Sequence, residues 1–106
     1  RYTWGNAMPP THGLPSMTAV AKWDVEDPSQ TIFHDFYPDL PGEPIFVPDA
    51  DRDAEDAGWL LTLVYRSGYH RTDLVLQDAK TLRLVATCRL PHHIPPGFHG
   101  RWMSER

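Results

Sequence analysis

The most apolar stretch of the chain is WLLTLVYRS, residues 59–67, which predicts a buried strand. GYHR (68–71) turns the chain and TDLVLQDA (72–79) returns it, making a hairpin. KTLRLVATCRLP (80–91) supplies a further strand, with Leu82, Leu84 and Ala86 in alternation. Upstream, RYTWGN (1–6) alternates aromatic and polar residues, as a half-buried strand does. MTAVAKWDV (17–25) sets Met17, Ala19, Ala21 and Trp23 on one side of a period-two pattern, while Val20 interrupts the polar side. TIFHDFY (31–37) and IFV (45–47) are further strands. AMPPTHGLPS (7–16), EDPSQ (26–30), PDLPGEP (38–44) and PDADRDAEDAG (48–58) separate them as turns and loops. No stretch reads as a helix. Strands that recur every ~8–15 residues with turn signals between them predict an all-β sandwich, barrel or propeller blade.

Composition sharpens this picture. The 106 residues suffice for one small domain with a modest core. Eleven prolines and seven glycines cut the chain into short pieces, and four Trp, four Tyr and four Phe supply the apolar area that opposes disorder. The net charge of -4 argues against a nucleic-acid surface, which needs a clustered basic face. No apolar run approaches the ~20 residues of a membrane-spanning helix, and no leader peptide is recognisable. The expected location is therefore cytoplasmic. The single cysteine, Cys88, lies in LVATCRL and is expected to be a small buried hydrophobe. The acidic loop 48–58 lacks the alternating ligands, central Gly and closing Glu of a calcium-binding loop, so a solvated turn is expected there.

Six histidines stand at positions 12, 34, 70, 92, 93 and 99. None forms a pair at the spacing of a zinc-protease helix, and no Cys–His cluster suggests a structural zinc. His70 reads as a turn residue. His99 differs, because PPGF precedes it and GRW follows it. The flanking glycines permit close backbone approach, and Phe98 and Trp102 favour the neutral imidazole that a metal requires. A ligating histidine also needs an acceptor for its other ring N–H, often a carboxylate. Glu43, in GEPIFV, stands beside Pro44 and an apolar strand, although its spacing alone says no more than solvated turn.

The segments GEPIFVP, EDAGWLLTLVY, DLVLQDAKTL and RLPHHIPPGFHGRW occur here in an order that resembles the C-terminal end of the carotenoid cleavage oxygenases. RYTWG and GLPSMTAVAKWDV resemble the strands that precede them, so the resemblance covers essentially the whole chain. It implies a seven-bladed β-propeller with one non-haem Fe(II) on its axis, held by four histidines, three of them hydrogen-bonded to glutamates. By motif, His99 matches the last iron ligand. Glu43 matches one of the glutamates that hydrogen-bond a ligand, which reverses the solvated-turn reading. His92 and His93 are implied to be neighbours of the site, and His12, His34 and His70 match no ligand motif.

The resemblance further implies that residues 1–106 are the C-terminal part of the propeller domain, about its last two blades, as a fragment. The implied activity is dioxygenase cleavage of a conjugated C=C bond of a carotenoid, apocarotenoid or stilbene by O₂, giving carbonyl products. The alternatives are a catalytically inactive β-rich fragment or binding module unable to assemble the iron site, and a retinoid isomerase of the family's kind. The implied partners are O₂ and an apolar polyene or stilbene, with peripheral membrane contact for the parent enzyme. A complementary chain joins them if the fragment is itself the native product.

Overall fold

The computed structural model describes residues 1–9 and 17–91. These residues are all-β, as the strand pattern predicts. The strands are β1 (Tyr2–Ala7), β2 (Ala19–Asp24), β3 (Ile32–Asp35), β4 (Leu40–Pro41), β5 (Ile45–Pro48), β6 (Gly58–Arg66), β7 (Arg71–Asp78) and β8 (Leu84–Arg89). The turn after β2 tightens into a short 3₁₀ segment, Pro28–Gln30, where the Asp27 side chain accepts a hydrogen bond from the Ser29 N–H. Among the described residues no helix is long and apolar enough to cross a membrane.

The strands form two antiparallel sheets. The first has the order β1-β2-β3. The second has the order β4-β6-β7-β8, with β5 also pairing with β6. The predicted hairpin is β6–β7, the longest ladder among the described residues, running from Trp59 opposite Asp78 to Arg66 opposite Arg71. β6 does not bury both faces. Leu60, Thr62 and Val64 are buried, while Leu61, Leu63 and Tyr65 between them are half-buried.

The core lies between the sheets. Val20 from the first sheet meets Leu60, Val64 and Val75 from the second, and all four are fully buried. Trp4 on β1 closes one side of the seam. Its indole stacks on Phe46 at 4.5 Å between ring centres and donates from Nε1 to the Ala79 carbonyl at 2.9 Å. Val20 was the residue that broke the polar side of β2, and the structure explains why. That side faces the second sheet, so Lys22 and Asp24 beside Val20 are buried too. Lys22 is paired there with Asp56, Nζ to Oδ2 at 2.7 Å.

Three expectations change. The acidic loop is not wholly solvated, because Asp56 is 6% exposed and takes the Lys22 charge across the seam. Leu82 does not begin a strand alternation. It sits in the β7–β8 turn with φ 62° and turns inward to the core, leaving β8 to start at Leu84. Cys88 is exposed, because β8 is an outer strand that presents both faces to solvent.

Candidate functional site

Glu43 sits where the edge of the second sheet is interrupted. β4 pairs with β6 through Leu40 opposite Tyr65 and Pro41 opposite Val64. β5 resumes the pairing on the same side of β6 with Ile45 opposite Leu61. The sequence PGEP makes the break, since neither proline can donate a ladder hydrogen bond. Two contacts hold the break in place. The Gly42 N–H donates to the Leu63 carbonyl at 2.7 Å, and Asn6 Nδ2 on β1 donates to the Gly42 carbonyl at 2.9 Å.

Pro44 is buried and Glu43 beside it is exposed, so the carboxylate stands out from an anchored backbone. Glu43 is not a free carboxylate. With Gly42, Ile45, Leu61, Leu63 and Leu74 it lines a small groove of about 180 Å³. An exposed carboxylate on an apolar rim can accept a hydrogen bond from an imidazole N–H brought against it.

The other histidines divide into two groups. His99, the motif-assigned ligand, lies outside the described residues, as do His12, His92 and His93. His34 lies on β3, half-buried, its ring tilted against Phe36 at 4.5 Å. Burial pushes its imidazole below the ordinary value, the Arg66 charge adds to that, and Asp35 opposes it. His70 is the exposed turn residue predicted for it, with φ 48° and a 3.1 Å hydrogen bond between its Nδ1 and Tyr65 Oη. Neither approaches a metal-binding group. Among the described residues no three His, Cys, Asp or Glu side chains are placed to hold a metal ion.

Asn6, which ties β1 to this break, is a residue that sequence reading missed. Its signal was present in YTWGN, where a polar side chain shares the Trp4 face of the strand and must find a partner once that face is covered.

Comparison with known proteins agrees with the motifs. The family model described as RPE65, retinal pigment epithelial membrane protein, matches residues 1–104. The apocarotenoid-15,15'-oxygenase of Synechocystis is 42% identical over 105 residues, covering 96% of this chain and 21% of that protein. A chloroplastic 9-cis-epoxycarotenoid dioxygenase of Arabidopsis thaliana is 33% identical over 91 residues, covering 86% of this chain and 16% of that protein. The solved structure of cobalt-substituted Synechocystis apocarotenoid oxygenase superposes with a TM-score of 0.89 at 39% identity, covering 99% of this chain and 22% of that one. The chain thus spans about a fifth of the length of these relatives. With a family match running almost from end to end and a relative 42% identical over 96% of its length, the chain belongs to the RPE65 and carotenoid cleavage oxygenase family.

Proposed function

We propose that this chain is the C-terminal part, residues 1–106, of a propeller domain whose enzyme cleaves a conjugated C=C bond of a carotenoid, apocarotenoid or stilbene with O₂. In that role it contributes His99 as one ligand of a non-haem Fe(II) centre and Glu43 as the acceptor that orients a ligand histidine. The observation that carries the reading is the anchored break at Glu43, in a chain 42% identical to an apocarotenoid oxygenase over nearly its whole length. Imidazole is a donor that suits iron, and a carboxylate is a common acceptor for the ligand's outer N–H. The described residues do not form a metal centre by themselves, so the remaining ligands would come from the rest of a longer protein.

When bound, the iron would supply the binding and activation of O₂. The work of this chain's own residues is narrower. Glu43 accepts the outer ring N–H of a ligand histidine, which selects the tautomer and leaves the other nitrogen's lone pair for the metal. The buried Pro44 and the bond from Asn6 to the Gly42 carbonyl anchor the backbone from which that carboxylate projects.

Two variants test this in the longer protein. His99→Ala is expected to abolish both iron retention and loss of the polyene absorbance under O₂. Glu43→Gln is expected to weaken iron binding or activity about 10–100-fold. Full activity in the His99→Ala protein would refute the assignment. His93→Ala is the control: a loss equal to that of His99→Ala would show that the wrong histidine was assigned as the ligand.

A second reading follows from the absence of a metal-binding group among the described residues. Acting alone, the chain would be a β-rich module without activity. Polyene cleavage by the isolated chain would exclude that reading.

A further inference from the structure

The ladders on either side of Glu43 do not keep count. Pro41 stands opposite Val64 and Ile45 opposite Leu61, so residues 42–44 face only residues 62 and 63 of β6. One extra residue on one strand of an antiparallel pair is a β-bulge, which bends the strand and re-aims a side chain. The burial pattern shows which side chain moves. On β6, Leu60, Thr62 and Val64 share the side that faces the first sheet. In an unbroken strand the residue after Gly42 would stand opposite Thr62 and share that buried side. Here Pro44 is the buried residue, and Glu43 is displaced to the exposed side.

Thr62, opposite the bulge, gives it no side-chain bond. The residue is 1% exposed, and its Oγ1 finds no hydrogen-bond partner among the described residues. The first sheet does reach the bulge. Asn6 lies on the Trp4 face of β1, and its Nδ2 donates to the Gly42 carbonyl at 2.9 Å and to the Pro41 carbonyl at 3.5 Å. Successive carbonyls of a regular strand point to opposite edges, so one amide group that meets two of them fits the bulged backbone and not a regular one. Trp4, two residues earlier on β1, stacks on Phe46 beyond the bulge. β1 thus grips the edge strand on both sides of Glu43.

We propose that Asn6 is a positioning residue for Glu43, holding from the other sheet the bulge that turns this carboxylate outward. The proposal rests on the reading of Glu43 as the acceptor for a ligand histidine, and it makes that acceptor depend on the seam between the sheets. The chemistry of an amide fits the task, because one planar NH₂ group supplies two donors for two carbonyls. Without them the extra residue is free to slip along the strand. A slip of one residue exchanges the exposed and buried sides, and it would carry Glu43 toward the core.

Asn6→Leu keeps the side-chain volume and removes both donors. In the longer protein, hydrogen exchange at the Gly42 amide, which donates to the Leu63 carbonyl, is expected to quicken at least tenfold while the amides of β7 keep their rates. An unchanged Gly42 rate would overturn the proposal. So would equal acceleration in β7, which marks a general loss of stability. Should Asn6→Leu fail to fold, Asn6→Asp, which has nearly the same shape and lacks the donors, takes its place in the same comparison. The link to Glu43 is measured as iron affinity, by competition with a chelator. Asn6→Leu is expected to weaken iron binding at least fivefold beside Glu43 and less than twofold in a Glu43→Gln background. Equal losses in the two backgrounds would overturn the proposal, because Asn6 would then act elsewhere. Unchanged iron affinity in Glu43→Gln alone would overturn the acceptor reading, and faster exchange confined to Gly42 would still uphold the clamp on the bulge.

Discussion

Single residues in this molecule are constrained by what a side chain would strike or by which charge state burial allows. Gly58 is the sharpest steric case, since a Cβ there would fall 2.3 Å from the Val47 carbonyl oxygen and 2.9 Å from the Phe46 ring. Gly58→Ala is expected to lower stability by about 1–3 kcal/mol, read as a reduced urea midpoint with an unchanged slope. His34 is the electrostatic case. Its folded pKa is depressed, so the unfolded chain binds the proton more readily. Its contribution to stability is full above the unfolded value of about 6.5 and is lost as pH falls from there through the folded value. His34→Gln is expected to flatten the decline of the urea midpoint on acidification through that window, and an unaltered decline would assign it to other groups. Cys88 is expected to react with a thiol reagent in the native state without denaturant, because β8 leaves it exposed. The error about Cys88 is instructive. LVATCRL looks like a core strand because β-propensity reports fitness for a sheet, and it carries no information on whether anything covers that sheet.

At the level of elements, the strands were legible from alternation, and the pairing of the two sheets was not. The β6–β7 hairpin followed from two apolar runs around GYHR, a local signal. The Lys22–Asp56 pair that ties β2 to the acidic loop joins residues 34 positions apart, and nothing in either neighbourhood announces it. Both side chains are 9% exposed, and the Lys22 ammonium also lies 4.2 Å from the centre of the Tyr2 ring. Burial alone would raise the Asp56 carboxyl, but the lysine hydrogen bond and charge outweigh it and the net direction is down. Breaking one half of such a pair strands the other charge, so Lys22→Met is expected to cost about 3–5 kcal/mol. The double substitution of Lys22→Met with Asp56→Leu is expected to recover most of that loss. A double variant no more stable than the single one, in urea denaturation, would show that the pair acts through packing and not through charge.

For the whole molecule, order along the chain carried more than any one residue. Glu43 could not be told from a solvated turn carboxylate by its own surroundings, and it became a candidate only because GEPIFVP stands in sequence with the later motifs. The structure adds the broken edge and the Asn6 bond that hold it. His99 was assigned from GFHG by resemblance alone, and its position lies outside the described residues. Because the proposed centre draws one ligand, His99, from this chain, the isolated chain is expected to carry iron well below one equivalent after gel filtration, measured by metal analysis. Stoichiometric iron in the chain alone would show that ligands come from within it. The interrupted edge has a further consequence for how the chain behaves in concentrated solution. Pro41, Pro44 and Pro48 lie along that border, and none has an N–H with which to recruit a foreign strand. The opposite border, β8, has no such gatekeeper and exposes Leu84 and Val85 at 46% and 48%. Fibrillar or edge-to-edge aggregation would therefore begin at β8, and a lysine at position 85 is where a solubilising change belongs.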